Sequence, residues 1–255
     1  MRKTVLAMAA LALAMPAAAK APARGPADVA AAMAAPGRPA DLVKLDEVRK
    51  PVEVLRFMGL KKGDRVLDYF TGTGYYADII AKAVGPKGHV VGWNSAGFGR
   101  SERVVKALAD VRSRNRNTAF YSSPTTAIAL APNSVDFALL HLVYHDAYWV
   151  SAQFGLPRID PNTVVQAIWN AVKPGGTVAV IDHVATPGGD TREVVEKLHR
   201  IDPATVRADF ERAGFVLEAQ SDLLRVPADD HGKNVFDPSI RGRTDRVVYR
   251  FRRPR

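Results

Sequence analysis

The chain has 255 residues, a formal net charge of +10 and no cysteine. This length suits one large α/β domain, and the missing cysteine excludes disulfide bonds, so the domain relies on its core, which is compatible with a bacterial periplasm. Much of the positive excess lies in arginines of residues 241–255 that flank or interleave with apolar side chains. That pattern predicts a strand with one solvated face near a sheet edge, and it argues against a nucleic-acid surface.

The first 19 residues have the layout of a secretory signal peptide. Arg2 and Lys3 are followed by an uncharged apolar run at 5–15 and by small residues at 17–19. The apolar run is shorter than the roughly 20 residues that span a bilayer as a helix. We predict cleavage before Lys20 and export to the periplasm. The alternatives are an uncleaved anchor and an alanine-rich cytosolic helix.

Residues 20–37 are rich in alanine, proline and glycine, which predicts a flexible lead-in. Residues 38–50 have roughly helical spacing, and Pro51 favours the start of a short helix through Met58. Strands are predicted at 65–70, 89–93, 118–121, 135–142, 177–182, 215–223 and 246–252. Helices are predicted at 74–84, 101–112, 162–172, 191–200 and 203–213. Residues 224–245 read as a long polar loop, and loops of that length are often functional.

The alternation of strands and helices predicts an α/β fold. We expect a doubly wound, mainly parallel sheet of seven strands whose last strand is antiparallel, in a single domain over 38–255. Such sheets bind ligands in the crevice beyond the carboxyl ends of their strands. The residues that follow each strand are therefore the candidate site residues.

The most informative of these segments is 66–74, Val-Leu-Asp-Tyr-Phe-Thr-Gly-Thr-Gly. It reads as a buried strand, a glycine-bearing turn and the start of a helix. Gly72 and Gly74 permit a positive φ and a close approach of backbone to ligand, and the free N–H groups of the helix favour an electron-rich ligand. Phe70 stands where nucleotide-binding loops usually carry their first glycine. The alternative is a tight turn without a ligand.

Later strands are also followed by residues that can carry chemistry. Tyr144, His145 and Asp146 follow the fourth strand, and Asp182 and His183 follow the fifth. Imidazole and carboxylate groups in such a crevice are candidates for acid–base work. The remaining residues at the predicted strand ends are Asp68, Tyr69, Thr71, Thr73, Trp93, Asn94, Ser95, Tyr121, Ser122, Ser123 and His141.

Segment 66–74 resembles motif I of class I S-adenosylmethionine-dependent methyltransferases. The turn at 173–176, Lys-Pro-Gly-Gly, resembles a late signature of the same superfamily, and the resemblance covers about 51–253. A narrower resemblance is to a group of exported bacterial proteins called predicted methyltransferases. It rests on six segments: Asp-Glu-Val-Arg-Lys-Pro at 46–51, Tyr-His-Asp at 144–146, His-Arg-Ile-Asp at 199–202, Ser-Asp-Leu-Leu at 221–224, Asp-Asp-His at 229–231 and Asn-Val-Phe at 234–236.

The resemblance implies S-adenosylmethionine as the cofactor. Its methionine part would be lined by Asp68, Gly72 and Gly74, with Phe70 and Thr71 in the same loop. Asn94 occupies the place where an acidic residue usually binds both ribose hydroxyls. The sequence departs from the family there, because an amide lacks the charge-assisted hydrogen bond of a carboxylate.

The resemblance also places acceptor-facing groups after the fourth strand. We predict His145 or Asp146 as a base and Tyr144 as an orienting or cation-facing group. The alternative is that His145 and Asp146 only cap local structure. Asp182 and His183 offer a second acid–base pair with a similar structural alternative.

No metal site is predicted, because the histidines and carboxylates lack defined ligand spacing. In the long loop we expect Asp229, His231 and Asn234 to fix the chain over the site by hydrogen bonds. Partners are expected to be a small molecule or an envelope component.

The leading hypothesis is a periplasmic methyltransferase. The first alternative is a non-catalytic binding protein on the same fold, since S-adenosylmethionine is made in the cytoplasm. The second is a nicotinamide-dependent oxidoreductase. Its loop would carry a third glycine where this chain has Ala77, which is tolerated in that role, and an acidic residue after the second strand, which this chain lacks.

Overall fold

The computed structural model describes residues 24–255. The predicted signal peptide, its cleavage site and the first residues of the lead-in lie outside that range. Within 24–255, none of the helices combines the length and apolar character needed to cross a bilayer.

Seven strands and ten α-helices make up the described chain. The strands are β1 Arg65–Tyr69, β2 His89–Ser95, β3 Thr118–Ser123, β4 Val135–His141, β5 Val172–His183, β6 Val216–Gln220 and β7 Arg246–Arg252. The helices are α1 Val29–Ala34, α2 Ala40–Val43, α3 Asp46–Arg49, α4 Pro51–Met58, α5 Tyr75–Val84, α6 Ala96–Gly99, α7 Glu102–Arg114, α8 Asn162–Ala171, α9 Thr191–Leu198 and α10 Pro203–Arg212. A single 3-10 turn, His145–Ala147, follows β4.

The strands form one sheet in the order β3-β2-β1-β4-β5-β7-β6. Neighbours from β3 to β5 are parallel, and β7 runs antiparallel to both β5 and β6. The predicted α/β fold, with seven strands and an antiparallel last strand, is confirmed. Strand order reverses between β1 and β4, and at such a switch point a crevice opens beyond the strand ends.

The core has one layer on each face of the sheet. Helices α1, α4 and α5 cover one face, with Ile79 and Ile80 fully buried against Val66 and Leu139. Helices α8 and α10 cover the other face through residues such as Ile168. The strands at the centre are apolar on both faces, as expected for parallel strands covered by helices.

The lead-in was predicted to be flexible, and in part this is wrong. Asp28 accepts a hydrogen bond from the N–H of Ala31 at 3.0 Å and caps α1. Val29 and Ala32 of that helix are buried against the α4 and α5 layer. An alanine-rich stretch with a cap and one apolar face forms a helix when a core surface is available to cover that face.

Several predicted boundaries also shift. Strand β5 begins at Val172, which pairs with Val135, so the turn predicted at 173–176 lies inside an irregular strand whose register shifts. The helical segment predicted at 38–50 is two short helices, α2 and α3. The strand predicted at 215–223 ends at Gln220 as β6. Leu224, which follows it, is buried in the core.

The long loop at 224–245 is fixed by buried ion pairs. Asp229 accepts two hydrogen bonds from the Arg200 guanidinium, at 2.8 and 3.0 Å. His231 contacts Asp245 at 3.1 Å, and Asn234 donates to the carbonyl of Lys197 at 2.8 Å. The structure agrees with the expected hydrogen-bonding roles of Asp229, His231 and Asn234.

Candidate functional site

A cavity of about 680 Å³ opens beyond the carboxyl ends of β1 and β4. Its size is that of an ordinary small-molecule site. Two carboxylates, Asp68 and Asp146, line it from different strands, together with the turn residues Phe70 and Gly72. Six further aromatic residues contribute to its wall, beside aliphatic and polar residues: Tyr69, Tyr75, Tyr76, Phe98, Phe154 and Phe236.

Asp68 forms part of the cavity floor at the end of β1. Its carboxylate accepts a hydrogen bond from the Thr71 hydroxyl at 2.6 Å, so Thr71 holds the carboxylate in place. Burial raises the pKa of Asp68 to about 6, although the bond from Thr71 opposes the rise. At neutral pH the group is therefore a buried anion, suited to a cationic partner such as an ammonium.

Phe70 adopts the left-handed conformation that its position requires. Its φ is +56°, a backbone region that costs a non-glycine residue about 1–2 kcal/mol. The ring is held by Trp93, at 5.8 Å between centroids, and by Phe98 at 5.3 Å. The turn thus keeps the geometry of a glycine loop, and the extra side chain forms part of the cavity wall.

The two glycines of the turn serve different purposes. Gly72, with φ +61°, lines the cavity, and a Cβ built on it would meet nothing within 4 Å. Gly74 caps α5, and a Cβ there would lie 2.9 Å from Val111 of α7. Gly72 therefore leaves room for a ligand, whereas Gly74 leaves room for a neighbouring helix.

Asn94 is engaged within the protein. Its side-chain oxygen accepts the N–H of Gly72 at 2.9 Å, and its side-chain nitrogen donates to the carbonyl of Gly72 at 3.1 Å. The residue is 1% exposed and does not line the cavity. An amide both donates and accepts hydrogen bonds, which a carboxylate cannot do. Asparagine at this position therefore links the end of β2 to the turn between β1 and α5, called the β1 turn below (residues 70–74).

Asn94→Asp should destabilise the fold by about 1–3 kcal/mol at neutral pH, because a buried carboxylate would face the Gly72 carbonyl without a donor. Urea denaturation measures the difference, with the exposed Asn170→Asp as the control. Equal stability of the two variants would show that the Gly72 bridge is unimportant.

The side chains of the three residues predicted after β4 lie in different surroundings. The Tyr144 hydroxyl donates to Asp209 at 2.6 Å, and its ring is fully buried away from the cavity. His145 is also buried and lies behind the cavity wall. Asp146 alone of the three lines the cavity.

Asp146 is backed by a buried histidine and a second carboxylate. Nε2 of His145 lies 3.5 Å from Asp146, while its Nδ1 and backbone N–H contact Asp182 at 2.7 and 2.9 Å. Burial alone would lower the pKa of His145, but the charges of Asp182 and Asp146 raise it to about 9. Burial raises the pKa of Asp146 to about 6, opposed by His145. At neutral pH the cavity thus presents an Asp146 carboxylate steadied by an imidazolium.

Asp182 and His183 point to different partners. Asp182 is the buried partner of His145, and His183 contacts the Thr244 hydroxyl at 2.7 Å. Burial, and then the charge of His145, hold the pKa of His183 well below its usual range. Across residues 24–255, no group of three or more histidine or carboxylate side chains is arranged to hold a metal ion.

Many of the cavity residues were not predicted as site residues from the sequence. Among them are the polar residues Arg49 and Tyr76, whereas His141, which also lines the cavity, was among the predicted strand-end candidates. Arg49 belongs to the Asp-Glu-Val-Arg-Lys-Pro segment that carries the narrower resemblance, but the sequence does not indicate where its side chain points.

A run of aromatic rings includes four that line the cavity, Phe236, Phe154, Phe98 and Phe70. It begins at Phe236, which is 55% exposed, and ends at Phe70. Successive centroids are 4.5 to 5.9 Å apart along Phe236, His199, Trp149, Phe154, Phe98 and Phe70. Such a wall favours a flat apolar ligand.

Comparison with known proteins agrees with this geometry. The family described as a methyltransferase domain matches residues 60–232. A 2-phytyl-1,4-naphtoquinone methyltransferase of Synechococcus elongatus is 31% identical over 131 residues, 50% of this chain and 49% of the relative. A demethylmenaquinone methyltransferase of Listeria monocytogenes is 30% identical over 133 residues, 51% and 49% of the two chains. The chain thus spans about half the length of these relatives.

Solved structures show the same fold. A methyltransferase from Aquifex aeolicus that depends on S-adenosylmethionine superposes with a TM-score of 0.57 at 24% identity, over 84% of this chain and 98% of that one. One from Mesorhizobium loti gives 0.55 at 19% identity, over 82% and 100%. The extent of the family match, joined with the cavity at the β1 turn, leads to one conclusion: the chain belongs to the class I S-adenosylmethionine-dependent methyltransferase superfamily.

Proposed function

We propose that the protein transfers a methyl group from S-adenosylmethionine to a flat, hydroxylated aromatic small molecule in the periplasm, with Asp146 as the base. One observation carries the proposal. The same cavity holds a buried carboxylate at the β1 turn, Asp68, and a second carboxylate after β4, Asp146. The first suits the cofactor, and the second suits an acceptor that must lose a proton.

The described residues fit the cofactor. Asp68 would accept the ammonium of the methionine part, and the open space at Gly72 would take the chain of atoms beside it. The aromatic walls suit a sulfonium, since a cation is attracted to the face of a ring. The ribose would lack the usual acidic partner, because Asn94 is bound to Gly72. When bound, the cofactor supplies a methyl group attached to a sulfonium sulfur, and the thioether that remains is a good leaving group.

The acceptor class is inferred from the aromatic wall and from the relatives. Those relatives are named for 2-phytyl-1,4-naphtoquinone and demethylmenaquinone, which contain a flat quinone ring. Phe154 and Phe236 would hold such a ring, and the Asp146 carboxylate would take the proton of its hydroxyl. The cofactor, held at Asp68 and Gly72, would supply its methyl group to the deprotonated acceptor oxygen and would be left as a neutral thioether.

The reaction should depend on pH through Asp146. The carboxylate is the active form, and its pKa is about 6, so the ionised fraction rises with pH. We expect kcat to fall about tenfold for each pH unit below 6 and to level off above 7. Asp68, whose pKa is also about 6, should mainly affect the KM for the cofactor. A kcat that is flat between pH 5 and 7 would exclude Asp146 as the base.

The proposal is tested by methyl transfer with purified protein, S-adenosylmethionine carrying a tritiated methyl group, and a panel of phenols and hydroquinones. Labelled product from a hydroxyaromatic compound, and none from ring analogues without a hydroxyl, is the expected result. Binding of the cofactor without transfer to any member would instead support the alternative, a non-catalytic binding protein on this fold. Cell fractionation tests the periplasmic location.

A further inference from the structure

Arg49 forms a cationic corner of the cavity. The Arg49 side chain forms no ion pair and donates no hydrogen bond to any residue within 24–255, and the residue lines the cavity. The guanidinium lies 4.3 Å from the centroid of the Tyr75 ring. The charges of two carboxylates act on Arg49, and neither carboxylate is bonded to it: Asp68 accepts from the Thr71 hydroxyl at 2.6 Å, and Asp46 is bound by both Arg38 nitrogens at 2.7 Å.

Two further polar groups of this corner lack partners. The Tyr76 hydroxyl and Nε2 of His141 are buried and make no hydrogen bond with residues of the described chain. The two rings lie 4.7 Å apart, and both line the cavity with Arg49. Buried polar groups are almost always hydrogen-bonded, so two such groups beside the unpaired Arg49 side chain indicate that a ligand completes them.

A second arginine adds to the positive charge. Arg246 is 2% exposed, and its guanidinium donates only to neutral oxygens, including the carbonyl of Val48 at 2.7 Å. Burial, and then the charge of Arg49, lower the pKa of Arg246 to about 10. Burial and the two arginines hold the pKa of His141 well below its usual range, so its imidazole is neutral and can donate from Nε2.

We propose that Arg49, Tyr76 and His141 bind a carboxylate group of a ligand. The arginine fork matches the two oxygens of a carboxylate, and the hydroxyl and imidazole N–H supply further donors. A monoanion suits the corner better than a dianion, because the charge of Asp68 is close enough to act on Arg49. The carboxylate could belong to the methionine part of the cofactor or to the acceptor, and the first of these sources rests on the proposed function.

Calorimetry with wild type, Arg49→Met and the exposed control Arg56→Met tests both sources. One pair of probes is S-adenosylhomocysteine and 5′-methylthioadenosine, which lacks the amino-acid part. The other is 4-hydroxybenzoate and 4-hydroxybenzyl alcohol. The preference is the ratio of the two dissociation constants within a pair, and the carboxylate probes are S-adenosylhomocysteine and 4-hydroxybenzoate. For at least one pair, Arg49→Met should reduce the preference for the carboxylate probe at least tenfold, whereas Arg56→Met leaves it unchanged. Arg49→Lys, which keeps the charge but not the fork, should restore part of it.

The affected pair identifies the source. An effect on the nucleoside pair alone assigns the carboxylate to the cofactor, and an effect on the benzoate pair alone assigns it to the acceptor. If wild type binds no nucleoside, the proposed function fails, but the benzoate pair still tests the corner. Preferences within twofold of wild type in Arg49→Met for both pairs, or no carboxylate preference in wild type, would overturn the inference.

Discussion

Asp146→Asn should lower kcat for methyl transfer about 10²–10⁴-fold, the usual contribution of a positioned base. The amide has nearly the shape of the carboxylate but cannot take the acceptor's proton. Affinity for S-adenosylhomocysteine should stay within about twofold, because the proposal assigns Asp146 to the acceptor and Asp68 to the cofactor. Steady-state kinetics and calorimetry on the same preparation separate the two effects.

The matched control is Asp110→Asn, an exposed carboxylate on α7. It should leave kcat unchanged. The fold should tolerate Asp146→Asn, since burial raises the pKa of Asp146 and a neutral side chain avoids that cost. If Asp146→Asn kept wild-type kcat, the acceptor would need no base and the role given to Asp146 would be wrong.

Gly72→Val should weaken binding of S-adenosylhomocysteine about 100-fold or more, which corresponds to about 2.7 kcal/mol. The new side chain would project into the open space where the ligand is expected, since nothing lies within 4 Å of a Cβ at this glycine. The positive φ of +61° adds backbone strain of about 1–2 kcal/mol. Calorimetry measures the binding, and thermal denaturation measures the strain.

Gly188→Val separates strain from occupancy of the cavity. Gly188 also has a positive φ, +92°, with nothing within 4 Å of a Cβ, but it lies in an exposed loop. Both variants should lose stability, and only Gly72→Val should lose binding. Equal affinity in the two variants would show that the ligand does not approach the β1 turn.

The sheet was predictable because its signals are local. Apolar strands bounded by glycine and proline alternate with amphipathic helices, as at Gly59 before β1 and Gly214 before β6. The lead-in was not, because the cap at Asp28 stabilises α1 only when the core receives Val29 and Ala32. The turn predicted at 173–176 failed for a similar reason, since pairing with Val135 extends β5 backward.

The location of the site was also predictable, but not the direction of its side chains. Asp68, Phe70, Thr71, Gly72 and Asp146 all line the cavity at the expected strand ends. Their catalytic and binding roles stay predictions. Two other candidates, Asn94 and Tyr144, turn to partners that are distant in sequence.

Those partners depend on tertiary structure. Asn94 finds Gly72, and Tyr144 finds Asp209, which is 65 residues away. Arg49 is the opposite case, a cavity residue that the sequence did not predict. Only the folded chain reveals that Asp46 is already engaged by Arg38, which leaves Arg49 facing the cavity.

Titration of the purified protein with S-adenosylhomocysteine tests the central claim most directly, namely that the cavity at the β1 turn is a working cofactor pocket. We expect one site per chain, with saturable binding that Gly72→Val abolishes and Gly188→Val retains. Absence of binding at millimolar ligand would contradict the account and leave a methyltransferase fold that has lost its cofactor.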